Sequence, residues 1–145
     1  MIRSTLPRTM SRLEAAITAP GPDRPPRAIK AGVDLGTAYT VLVVLDEDDE
    51  PLAVSYERAD VVRDGVVTDF IGAIDVVRRL KLDVESRLGR SVEAAHGAYP
   101  PGVPLSEVRA VQHVIEAADM ECSGLVDEPT AANAALGLRD GVVVD

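Results

Sequence analysis

The sequence predicts an α/β fold, a mixed sheet with three antiparallel strands followed by alternating helices and strands. Three observations carry this. Alternating runs rich in β-branched residues occupy 29–34, 40–46 and 51–57 and follow one another through short turns. Two amphipathic stretches come next, with apolar residues at spacings of three and four. Short apolar strands at 93–99 and 123–126 and a last one at Val142-Val143-Val144-Asp145 stand between or after helices.

Composition narrows the classes. At 145 residues the chain suits one domain, because a chain of this length hides roughly 68–70% of its unfolded surface. With 46% apolar residues and no run of about 18 of them, no membrane span is expected. No export signal is visible and the single Cys122 can form no internal disulfide, which together fit a reducing cytoplasm, with Cys122 a small buried hydrophobe. His96 and His113 have no partners at ligand spacing, so no structural zinc site is expected. Residues 1–30 carry a net +4 and the remainder −13, so nothing in the main domain would offset the repulsion of a nucleic acid's phosphates. The acidic run 46–50 lacks a calcium loop's spacing and reads as a solvated turn.

Taken in order, residues 1–10 look unstructured. Ser11-Arg12-Leu13-Glu14 has the form of a capping box, and Leu13, Ala16 and Ile17 then share a helical face before Pro20-Gly21-Pro22. Residues 1–27 therefore read as a flexible tail bearing a short amphipathic helix, which either docks on its own domain or serves as an address for a partner. The folded domain spans 28–145. After its three strands, Asp64-Gly65 marks a tight turn, and Thr68 or Asp69 caps a helix carrying Ile74, Val77, Leu80, Val84 and Leu88 to Gly89. Pro100-Pro101-Gly102 breaks the chain before a helix with Val108, Val111, Ile115 and Ala118 inward. A short helix starts at Pro129 and closes at Gly137, and Asp140-Gly141 turns into the last strand.

The chemistry centres on Ala31-Gly32-Val33-Asp34-Leu35-Gly36-Thr37-Ala38-Tyr39-Thr40, two strands joined by a short turn. Gly36 allows close backbone approach, the turn's N–H groups can cradle an anion, and Thr37 and Thr40 add hydroxyl donors. Asp34, at the end of a buried strand beside this cradle, is placed to hold a hydrated Mg²⁺.

Gly-Val-Asp-Leu-Gly-Thr resembles the first phosphate motif of the actin, sugar kinase and heat-shock chaperone ATPase superfamily. The order of elements matches that superfamily's ribonuclease-H-like lobe. Asp127-Glu128-Pro129-Thr130-Ala131-Ala132 is similar to the Glu-Pro-Thr-Ala-Ala segment of DnaK-type chaperones. Segments 61–70 and Pro100-Pro101-Gly102 resemble bacterial actin-like rod-shape proteins and, more closely, the EutJ family of ethanolamine-utilisation proteins, whose first half the span from about 28 to 145 matches.

The resemblance implies ATP and Mg²⁺ as ligands, with Asp34, Leu35, Gly36, Thr37 and Thr40 at the phosphates, Asp34 and Asp145 sharing the metal's water shell, and Glu128 orienting the attacking water. Asp127 reads as a helix cap. It also implies that the chain stops at the opening of the second phosphate motif, so that half a nucleotide site is present and the chain alone is inactive. DnaK-type chaperones place a lysine in the segment matching 59–70, and none is there; Lys81 lies in the following helix. The leading expectation is part of a cytoplasmic ATPase assisting ethanolamine-degrading enzymes or the shell proteins of their microcompartment, with no nucleic-acid or membrane partner. An actin-like filament protein, a small-molecule kinase and a non-enzymatic binding module are the alternatives.

Overall fold

A computed structural model of the chain describes residues 5–137, with side chains from Arg8 onward. The last strand expected from sequence, the turn before it and Asp145 lie outside the described residues. Among the described residues the order is α1 (Thr5–Thr18), β1 (Lys30–Leu35), β2 (Tyr39–Leu45), β3 (Pro51–Arg58), β4 (Val62–Arg63), β5 (Val66–Val67), α2 (Phe70–Leu88), β6 (Ala94–Tyr99), α3 (Leu105–Ala117), β7 (Glu121–Asp127) and α4 (Glu128–Leu136). Five strands form one sheet in the order β3-β2-β1-β6-β7, and β4 and β5 form a separate hairpin. The first three strands pair antiparallel, while β1, β6 and β7 run parallel, as a strand-helix-strand crossover requires.

Period-two alternation decides what is buried. Val33 and Leu35 of β1 and Thr40, Leu42 and Val44 of β2 point to the face that α2 and α3 cover. The inward stripe of α2 is Ala73, Val76, Val77, Leu80, Val84 and Leu88, with Ile74 partly buried beside it. In α3 it is Val111, Val114 and Ile115, with Val108 only half-buried. Gly97 sets the depth of that packing: a Cβ there would come within 2.9 Å of the side chains of Leu125, Ile115 and Val111. The caps follow the sequence. The Asp69 side chain accepts from the Gly72 N–H, and Gly89 ends α2 in the left-handed region at φ 66°.

The N-terminal region departs from expectation. The helix starts at Thr5 rather than after residue 10, so Ser11 is interior to it. Residues 1–27 do not form a free tail over the described part. Ala16 is buried where α1 meets β3, whereas Ile17 is exposed, and tertiary contact lengthens a helix that would be unstable alone. Downstream, the Arg90 Nη1 donates to the carbonyls of Pro26 (2.7 Å) and Arg27 (2.9 Å), fastening the Pro-rich stretch to the end of α2. Lys81 has a structural place as well: its Nζ donates to the Asp119 carbonyl at 2.9 Å, joining α2 to the turn after α3.

The acidic turn is organised by its own side chains. Asp46 Oδ1 accepts from the N–H groups of Asp48 (2.8 Å) and Glu50 (3.0 Å), and Lys30 Nζ meets Asp49 at 2.6 Å. Among the described residues no three His, Cys, Asp or Glu side chains are grouped to hold a metal directly, and no helix is long and apolar enough to cross a membrane.

Candidate functional site

The parallel strands β1, β6 and β7 all point their carboxyl ends to the same side of the sheet, where open α/β sheets collect ligands. Asp34 stands one residue before the end of β1, between Val41 of β2 and Ala98 of β6. Pro100 directly follows β6. Glu128 directly follows β7 as the first residue of α4. These positions open onto one cleft of about 330 Å³, lined by Asp34, Leu35, Gly36 and Thr37 on one side, Val62 and Gly65 on another, and Pro100 and Glu128 on the third.

Each wall is fixed by local chemistry. The turn after β1 is tight: the Gly36 N–H donates to the Tyr39 carbonyl at 3.0 Å, and a Cβ on Gly36 would lie 2.7 Å from that same oxygen. Glycine is thus required there by the hairpin's own backbone. The Ala59 N–H donates to the Ala38 carbonyl at 3.2 Å and ties the turn to the end of β3. In the β4–β5 hairpin, Asp64 (φ 51°) and Gly65 (φ 75°) both adopt the left-handed backbone of a tight two-residue turn. Gly65 packs so closely against the loop after β6 that a Cβ would come 2.9 Å from Val103.

Asp127 and Glu128 divide the work at the start of α4. The Asp127 Oδ1 accepts from the Thr130 N–H at 3.0 Å and caps the helix, and hydrogen bonds from Thr130 hold its carboxyl below the usual carboxylate range. Glu128, one residue on, is left to line the cleft.

The structure therefore brings together Asp34, Leu35, Gly36, Thr37 and Glu128. It does not bring Thr40. That side chain is fully buried on the core face of β2, because it falls in the same alternation as Leu42 and Val44. Its hydroxyl faces α2's side of the sheet, so the reading of Thr40 as a phosphate ligand is corrected. Asp145 lies outside the described residues. Sequence reading missed Val62, Gly65 and Pro100 as walls; Asp-Gly and Pro-Pro-Gly signal turns and carry no sign of what the turns face.

The sheet order, the antiparallel-then-parallel pairing and a cleft at the carboxyl ends define an actin-like fold. Comparison with solved structures agrees. MreB5 of Spiroplasma citri, solved bound to ADP, superposes with a TM-score of 0.58 at 17% identity, over 78% of this chain and 42% of that one. The particular resemblance is to the ethanolamine utilization protein EutJ. The structure of EutJ from Carboxydothermus hydrogenoformans superposes with a TM-score of 0.90 at 44% identity, over 98% of this chain and 52% of that one. EutJ of Escherichia coli K12 is 45% identical, and that of Salmonella typhimurium LT2 44% identical, each over 114 residues. This chain is a homologue of EutJ, and it spans about 40% of the length of those curated relatives. No family model matches the sequence.

Proposed function

We propose that the cleft is the first-lobe half of a Mg²⁺-ATP site in a EutJ-type protein of ethanolamine utilisation, a chaperone-type ATPase acting in the cytoplasm on the enzymes or the shelled compartment of that process. The observation that carries the reading is the convergence of Asp34, Gly36, Thr37 and Glu128 on one cleft at the carboxyl ends of three strands.

The donor set suits a hydrated divalent ion. One or two carboxylates with a hydroxyl and backbone N–H groups make no all-protein cage, but Mg²⁺ keeps most of its waters and is held through few carboxylates and the phosphates themselves. Asp34 would hold its water shell, and the bound ion would neutralise charge developing on the phosphates. The chain's own residues supply the rest. The Thr37 hydroxyl in this turn would donate to phosphate oxygens, while the Gly36 N–H, already given to the Tyr39 carbonyl, holds the turn in shape. Glu128, on the cleft wall, would orient a water and accept its proton, since phosphoryl transfer depends on placement and charge more than on covalent help.

The filament-forming alternative rests on the resemblance of segments 61–70 and Pro100-Pro101-Gly102 and on the fold, and the likeness to MreB5, at 17% identity, supports the fold alone. Calorimetric titration of Mg²⁺-ATP into this chain joined to the remaining part of a EutJ relative tests the reading. A micromolar dissociation constant that weakens at least tenfold with Asp34→Asn is expected. Binding that is absent, or indifferent to Asp34, would sink it.

A further inference from the structure

β3 is an outer edge of the sheet, and α1 stands against it. Arg12 of α1 pairs with Glu50 at the foot of β3, and Ala16 is buried against the strand. Arg87, from the last turn of α2, fastens the two together. Its Nη1 donates to the Ala16 and Ile17 carbonyls, both at 3.0 Å, and its Nη2 donates to the Val54 carbonyl at 2.8 Å. That carbonyl points away from β2, so by strand alternation the Val54 N–H and the N–H and C=O of Tyr56 point outward as well. With α1 in place the row is covered and the Val54 carbonyl is taken by Arg87; with α1 displaced it would be a template for pairing with another chain. The register slip beside Val44 and Leu45 disrupts only the beginning of β3, and from Ala53 to Arg58 the strand is regular.

We propose that α1 is a displaceable guard over this edge, and that the partner the uncovered edge fits is β3 of a second copy of the chain, paired antiparallel about Ser55. The strand is self-complementary in that register. Val54 of each copy stands opposite Tyr56 of the other, a β-branched residue against an aromatic one, at positions whose outward donors and acceptors match. Tyr56 is 51% exposed and touches Tyr39 edge-to-face at 5.9 Å, so a cross-strand neighbour would extend an existing aromatic contact. The other edge strand, β7, is poorly suited, with Glu121 and Asp127 at its ends and Gly124 within it.

Sedimentation of the full chain carrying Ala16→Pro tests this, because proline inside α1 breaks the helix while leaving the sheet's own residues intact. The variant is expected to dimerise at a concentration at least tenfold lower than the parent, with Arg87→Met moving the same way. Adding Val54→Pro removes an outward N–H without touching the β2 ladder, and should return the Ala16→Pro protein to monomer. Self-association equal in parent and Ala16→Pro, a dimer that survives Val54→Pro, or loss of the sheet's circular-dichroism signal in Ala16→Pro would each overturn the proposal.

Discussion

Asp34 and Glu128 line the same cleft although β6 lies between the strands that deliver them. The relationship follows from topology. Parallel pairing of β1, β6 and β7 puts the residue near the end of the first strand and the residue just after the last on one side of the sheet. Two carboxylates facing one space repel each other unless a cation or a proton intervenes, so on the proposed reading the affinity for an anionic ligand would depend on a divalent ion.

Mg²⁺ dependence is therefore the first expectation. In the chain joined to the remaining part of a EutJ relative, chelating the metal abolishes measurable ATP affinity, and Asp34→Asn lowers turnover by about 10²-fold, the effect of losing one preorganised charge. Glu128→Gln is expected to lower turnover and leave affinity within about threefold, since on the proposed reading its part would be in the transition state. Titration calorimetry and phosphate release check both.

Thr40→Val separates the two readings of that residue. Among the described residues its buried Oγ1 has no hydrogen-bond partner, and replacing an unsatisfied hydroxyl by a methyl removes a desolvation cost of about 1–3 kcal/mol. The variant should be at least as stable as the parent in urea unfolding, and its Mg²⁺-ATP affinity should be unchanged in the joined protein. A tenfold loss of affinity would return Thr40 to the phosphates.

Most of the fold was legible because local signals agreed with one another. Alternation gave β1 to β3, Asp69 and Gly89 bounded α2, and Asp127-Glu128-Pro129 announced the start of α4. Asp34 was marked by its place at the end of a strand beside the Gly36 turn, and Glu128 only through motif resemblance; that both line one cleft was not legible, since a carboxylate's neighbours across a sheet leave no local trace. Thr40 misled because a hydroxyl near a phosphate-type turn looks the same in sequence whichever face it occupies, and here alternation with Leu42 and Val44 decides. The seat of α1 was illegible for another reason. It depends on Arg87 and Glu50, far along the chain, and a Pro-rich connection reads as a tether until its carbonyls are seen to be taken by Arg90.

Glu57 gives the acid limb of stability a specific contributor. Hydrogen bonds from Arg79 Nε (3.0 Å) and Nη2 (2.6 Å) hold its carboxyl below the usual glutamate value. A depressed folded-state pKa means stability that is fully present above the unfolded value of about 4.3 and lost as pH falls through the folded one. The pair is substantially exposed, so the effect is small and salt-sensitive. Glu57→Gln should flatten the fall in thermal midpoint below pH 5 and leave the neutral-pH midpoint nearly unchanged. An identical acid limb in parent and variant would remove Glu57 from the account.

Arg87 is expected to be the most sensitive charged residue outside the cleft. Its guanidinium reaches the end of α1, the edge of β3 and, at 2.8 Å, Asp83 one turn back on α2, and only 15% of its side chain is exposed. Each carbonyl bond to a charged donor contributes about 1.5–3 kcal/mol, but those at the end of α1 can exchange for water once the helix loosens. The net loss in Arg87→Ala should therefore be about 2 kcal/mol, and Arg87→Lys should lose nearly as much because an ammonium cannot span the same fork of acceptors. Urea unfolding measures the loss, and hydrogen exchange locates it. Faster exchange confined to α1 and β3 is the expected pattern, whereas uniform acceleration across α3 and β7 would mean that Arg87 supports the whole core and that α1 is no separate layer.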